Sequence, residues 1–226
     1  MVIRVTLSNS PQTVLAGSPT TFTCVTSASK PQACIRAYIR SSGNVRMVDP
    51  GNCNQDSNSV QTATRTLTFT AYAEENGAEL YCNASNSVTD PPVRSQVYTL
   101  NVHFTPRINC KQSEVTVFQG QRIKIECDVT ANPVARVSLV RNGNKMNSTF
   151  TTTPDPTRRD VTISTSEIEI TKQMSSGIYQ IEATNSAGSS WTEVEITLIE
   201  SHFIPKTLKV ISCINKKCHP CLGVRH

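Results

Sequence analysis

At 226 residues, 37% hydrophobic and 17% charged, the chain is too long for one small domain and suits two of about 100 residues each. Its formal charge of +5 resides in Lys206, Lys209, Lys216, Lys217 and Arg225, because all 17 acidic residues and 17 of the 22 basic ones lie at or before Glu200 and cancel. A neutral body without a basic stripe excludes nucleic-acid recognition, which relies on phosphate neutralisation, and no apolar run reaches the roughly 18 residues that a membrane helix needs.

Thr, Ser, Asn and Val are plentiful, and no segment sustains an apolar period of 3.6, so the chain is expected to be all-β. Val2 to Thr6 already reads as a strand and not as a signal peptide. Phe22 and Cys24 share one face of the next alternating segment. Ile35, Ala37 and Ile39 share the inner face of another, leaving Arg36, Tyr38 and Arg40 outward. Leu67 and Phe69 follow, then Leu80, Cys82 and Ala84, and Val97 to Val102 closes the set. Turn clusters separate them, among them Ser41-Ser42-Gly43-Asn44 and Asp49-Pro50-Gly51-Asn52.

The pattern then repeats. Ile123, Ile125 and Cys127 mirror the first cysteine strand, Val137 and Leu139 precede an Arg141-Asn142-Gly143-Asn144 turn, Ile168 and Ile170 mirror Leu67 and Phe69, and Tyr179, Ile181 and Ala183 mirror Leu80, Cys82 and Ala84. A repeat of about 100 residues is a tandem domain, since solenoid units are shorter. The expected domains are 1–104 and 105–200, joined stiffly through Pro106, with 201–226 a basic, cysteine-containing tail expected to be disordered.

Nine cysteines, mostly on expected strands, point to disulfides and an oxidising compartment. Asn83-Ala84-Ser85 and Asn147-Ser148-Thr149 are acceptor motifs for N-glycosylation, in keeping with that compartment. An extracellular chain lacking a signal peptide and a membrane span is expected to be a piece of a longer receptor or secreted protein.

Thr21-Phe22-Thr23-Cys24 resembles strand B of the immunoglobulin superfamily, and the segments from Glu75 to Asn86 and from Gly177 to Gly188 resemble the turn into strand F with the strand itself. The phrase from Thr99 to Pro106 is similar to the last strand and link of nephrin-, kirre- and nectin-like adhesion proteins. The resemblance covers residues 3–200. It implies two tandem Greek-key β-sandwiches of the intermediate set or a related one, and a protein that binds protein partners rather than catalysing. Three functions fit: an adhesion or recognition receptor with homophilic or heterophilic immunoglobulin-type partners, a secreted immune-type module for a non-self ligand, or a structural spacer in a matrix protein.

The family pattern is broken in places. Ala37 and Leu139 stand where strand C usually carries a core tryptophan, and Trp191 lies in the expected final strand. The resemblance implies a Cys24–Cys82 bridge between the sheets of domain 1. Domain 2 keeps Cys127 but has Ile181 in place of its partner, and keeps the tyrosine-corner residue as Tyr179 where domain 1 has Leu80. Cys34 and Cys53 flank strand C and its turn and are expected to form a second bridge. Cys110 and Cys127 straddle the Gln119-Gly120 turn, so either they pair or Cys127 is a buried thiol. Cys213, Cys218 and Cys221 are an odd remainder.

No catalytic site is expected. His103, His202, His219 and His226 lie away from any plausible nucleophile, and there is no phosphate loop, nucleophile elbow or paired carboxylate cluster; Asp155 and Asp160 flank an ordinary turn. The spacing of Cys213, Cys218, His219 and Cys221 is irregular for zinc, so no metal and no cofactor is expected. Alternation instead places Arg36, Tyr38, Arg40, Tyr81 and Tyr98 outward on one sheet of domain 1, and Arg and Tyr are typical of binding hot spots. A glycan on Asn83 would stand on that same sheet.

Overall fold

The computed structural model describes residues 2, 4–8, 13–51, 59–171 and 174–199, and the backbone of 211–214 and 217–220. The first half contributes β1 (Val5–Ser8), β2 (Val14–Leu15), β3 (Pro19–Thr26), β4 (Cys34–Ser41), β5 (Asn44–Asp49), β6 (Thr64–Thr70), β7 (Glu79–Asn86), β8 (Thr89–Arg94) and β9 (Tyr98–Thr99). The helical turn Ala73–Glu75 is the one helical element among the described residues. One sheet runs β1-β3-β6, and the other runs β5-β4-β7-β8, with β9 also paired to β7.

Between these sheets lie Phe22, Cys24, Ala37, Ile39, Leu67, Leu80 and Cys82, each at most 1% exposed. They are alternate residues of their strands, and a strand that turns every second side chain inward buries apolar surface without giving up its ladder hydrogen bonds. Full burial of a side chain such as Phe22 or Leu80 contributes about 1.5–3 kcal/mol. A disulfide joins Cys24 to Cys82 through this core.

β10 (Val102–Cys110) is continuous between the two halves. Its start pairs in parallel with β2, Val102 beside Val14 and His103 beside Leu15, and from Phe104 onward it pairs antiparallel with β12 (Arg122–Asn132), with a register shift between Phe104 and Arg107. The second sandwich is completed by β11 (Glu114–Phe118), β13 (Arg136–Arg141), β14 (Asn144–Lys145), β15 (Thr151–Pro154), β16 (Val161–Glu169), β17 (Gly177–Asn185) and β18 (Gly188–Ile199). Its sheets are β15-β16-β12-β10, extended by β2, and β11-β18-β17-β13-β14. Ile125, Cys127, Leu139, Ile170, Tyr179, Ile181, Val194 and Ile196 fill the space between them.

The hairpin β4–β5 turns on Ser42 and Gly43, and β13–β14 on Asn142 and Gly143, all four at positive φ. Two left-handed central residues match the twist of the flanking strands, which is why Asn-Gly serves there so readily.

The joint is held by asparagines as well as by continuous backbone. Asn132 Nδ2 donates to the Val102 carbonyl (2.8 Å), and Asn185 Nδ2 donates to the carbonyls of Phe104 (2.9 Å) and Pro133 (2.8 Å). Across the joint Asn76 Nδ2 donates to Asp160 Oδ2 (3.0 Å), Arg159 donates to the Asn76 carbonyl (3.0 Å), and Arg107 pairs with Glu74 at 2.7 Å.

In the C-terminal tail, β19 (Ile211–Ile214) pairs antiparallel with β20 (Lys217–Pro220), setting the backbone of Cys213 opposite that of Cys218. Cys221, His202, His226 and the remainder of 200–226 lie outside the described residues. No helix among the described residues is long and apolar enough to cross a membrane.

Candidate partner-binding face

The outer surface of the β5-β4-β7-β8 sheet is assembled by register. Across β4 and β7, Arg36 faces Asn83, Tyr38 faces Tyr81 and Arg40 faces Glu79. β5 adds Met47 beside Tyr38 and Val45 beside Arg40, and β8 adds Arg94 beside Asn83. Directly opposed residues share one face of a sheet, so these nine side chains lie on the side away from the core.

Their contacts are ordered. The rings of Tyr38 and Tyr81 stack with centroids 5.6 Å apart, and the Arg94 guanidinium lies 3.9 Å from the Tyr81 centroid. Arg40 Nε donates to Glu79 Oε2 at 2.8 Å. Val45 and Met47 are 55% and 49% exposed on the edge strand β5, so the face carries apolar surface from its edge up to the tyrosines, with arginines beside it.

Of the five residues expected on this face, Arg36, Tyr38 and Arg40 present half-buried or exposed side chains. Tyr81 points outward but is only 3% exposed, covered by Tyr38 and Arg94; its contribution is to hold those two neighbours. Tyr98 departs from the expectation. It sits opposite the core residue Leu80, packs with its ring 5.5 Å from Phe22, and its phenol is raised by desolvation. The reason is a one-residue shift in pairing to β7 between Arg94 and Tyr98, which turns Val97 out and Tyr98 in.

Sequence reading missed Val45, Met47 and Arg94. The signal for the first two was present, because Val45 and Met47 alternate directly after the Ser-Gly turn. Arg94 was hidden behind Pro91-Pro92, which reads as a break.

Asn83 lies in the middle of β7 on this face, and its buried Oδ1 has no hydrogen-bond partner among the described residues. Asn147 is exposed beyond β14. Cys34 is disulfide-bonded, while Cys53 lies outside the described residues. Cys110 and Cys127 are directly opposed on β10 and β12 and are bonded to each other. Of the alternatives open in sequence, the structure thus has Cys127 paired. Trp191 stands 61% exposed on β18. Among the described residues no cluster of His, Cys, Asp and Glu has the makings of a metal site; the side chains of Cys213, Cys218, His219 and Cys221 are outside that set.

The fold is that of two tandem immunoglobulin-like β-sandwiches, and residues 105–185 match the immunoglobulin domain family. Cell adhesion molecule 2 of Xenopus tropicalis is 26% identical over 198 residues, covering 86% of this chain and 43% of the relative. Human cell adhesion molecule 4 is 25% identical over 173 residues, covering 76% of this chain and 42% of the relative. The chain therefore spans less than half the length of these curated relatives. Among solved structures, that of Dpr2 Ig1-Ig2 in complex with DIP-Theta Ig1-Ig3 superposes with a TM-score of 0.52 at 19% identity, over 88% of this chain and 66% of the other, a likeness of fold.

Proposed function

We propose that this chain is an extracellular fragment of a cell-adhesion or recognition receptor, organised as domains 1–104 and 105–200, that binds an immunoglobulin-type protein partner through the outer face of β4, β5, β7 and β8. The observation that carries this is the ordered Tyr38–Tyr81–Arg94 stack continuing into exposed Met47 and Val45. Rigid aromatic and arginine side chains bind at low entropic cost, and aromatic residues, Met and Arg are enriched at interface centres. The similarity to cell adhesion molecules, and a structural neighbour solved as a complex of immunoglobulin domains, support a protein partner over a small ligand.

Beads coated with the glycosylated fragment test self-recognition. Clustering that Arg36→Ala/Tyr38→Ala abolishes, with the variant's melting curve unchanged, supports the reading. Failure of the folded wild type to cluster would remove self-recognition, and clustering that survives the double substitution would remove this face.

A further inference from the structure

The C-terminal sandwich carries a second sheet face that no other described element covers, and its charge is opposite. Across β17 and β18, Glu182 faces Trp191, Gln180 faces Glu193 and Ile178 faces Glu195, and β11 sets Glu114 beside Glu195. Trp191 and Ile178 are 61% and 56% exposed, while their neighbours Tyr179, Ile181 and Val194 point into the core. A tryptophan held open on a rigid strand presents a large amphipathic surface that costs little entropy to bind.

The charges on both faces are left over from local pairing. On the N-terminal face Arg40 is engaged by Glu79, and no carboxylate among the described residues pairs with Arg36 or Arg94. On the C-terminal face Lys145 is engaged by Glu182 at 3.5 Å. Among the described residues Glu114, Glu193 and Glu195 have no cation partner and outnumber Arg136, so the unpaired balance there is acidic. One face is thus an aromatic patch with spare arginines, and the other a tryptophan with spare glutamates.

We infer that these two faces are each other's partners between copies: the β4-β5-β7-β8 face of one chain docks on the β17–β18 face of a second. The inference rests on the adhesive reading above and names the partner surface. Face-to-face docking of two N-terminal sheets would bring arginine patches together, and like-charge juxtaposition is disfavoured once water is excluded. Docking the basic face on the acidic one gives Arg36 and Arg94 carboxylates to meet and gives Trp191 an apolar counterpart in Met47 and Tyr38. The contact joins two different patches, a heterologous arrangement.

Charge-swapped fragments test this. Arg36→Glu/Arg94→Glu reverses the first face and Glu193→Lys/Glu195→Lys the second. All four positions lie on the solvent side of their strands, and unchanged melting curves verify folding. Each variant alone is expected to lose more than tenfold in bead clustering, and a one-to-one mixture of the two to recover it, because every acidic face then meets a basic one. Trp191→Ala is expected to cut wild-type clustering to a similar degree. If Glu193→Lys/Glu195→Lys beads cluster alone as well as wild type, or the mixture fails to recover, the inference is overturned while the adhesive reading stands. If wild-type beads do not cluster, self-recognition itself is removed and the inference falls with it.

Discussion

The two sandwiches share a strand plan but stabilise their centres differently. In the first, Cys24 and Cys82 cross the core from sheet to sheet. In the second, the position equivalent to Cys82 is Ile181, fully buried, and Cys127 bonds instead to its neighbour Cys110 within one sheet. Holding the two sheets together then falls to packing and to Tyr179, whose hydroxyl donates to the Ser175 carbonyl at 2.9 Å. The Arg141 guanidinium lies 4.5 Å from that ring centroid and donates to the same carbonyl at 2.8 Å. A covalent link between sheets and a buried polar corner are two solutions to one problem, and each sandwich uses one of them.

The largest expected effect breaks the first solution. Cys24→Ala/Cys82→Ala removes a loop closure of 58 residues, and in the chain-entropy model it costs about 4 kcal/mol. Calorimetry should show the lower-melting transition of the variant shifted, with the transition assigned to the second sandwich unmoved.

Cys110→Ser/Cys127→Ser opens a closure of only 17 residues, for which the same model gives about 3 kcal/mol. The comparison is sharpened by Ile181→Cys in the Cys110→Ser background. If the two cores are equivalent, non-reducing peptide mapping will find the introduced thiol joined to Cys127 and part of the lost stability restored; a free thiol would show that the sheets stand differently.

Tyr179→Phe should cost about 1–1.5 kcal/mol in the second sandwich, the worth of the hydroxyl's hydrogen bond to the Ser175 carbonyl, while Arg141 keeps its acceptors on Ser175 and Ser176. Leu80→Ala, at the matching position in the first, acts by cavity formation instead and should cost about 2–5 kcal/mol, independent of any polar partner.

The smallest effect concerns pH. The Arg65 guanidinium, assisted by the Gly51 amide and against the opposing effect of burial, holds the Asp49 carboxyl below its ordinary value. A depressed folded-state value contributes stability that is complete above the unfolded aspartate range and is lost as pH falls through the folded value. Acid titration of the first sandwich should therefore show a step below the ordinary aspartate range that Asp49→Asn abolishes.

Much of this architecture was legible in the residues. Period-two alternation in segments such as Phe22–Cys24, Ile35–Ile39 and Ile123–Cys127 needs only local sterics and burial, and each segment forms the strand it implies. The Asn142-Gly143 turn and the tyrosine corner are similarly local. Long-range register was not legible. Alternation within its own strand would turn Tyr98 outward, yet its facing depends on a one-residue shift against a strand some eighteen positions away.

What sequence alone determined was the class of fold, the repeat and the strands carrying each core, because hydrophobic periodicity is a property of neighbours along the chain. Tertiary structure decided that Cys127 meets Cys110, that Tyr81 is covered while Met47 and Trp191 are open, and that spare arginines gather on one sandwich and spare glutamates on the other. These depend on which residues of separate strands come to lie opposite one another, and pairing across a sheet is set by register and bulges that no local pattern encodes.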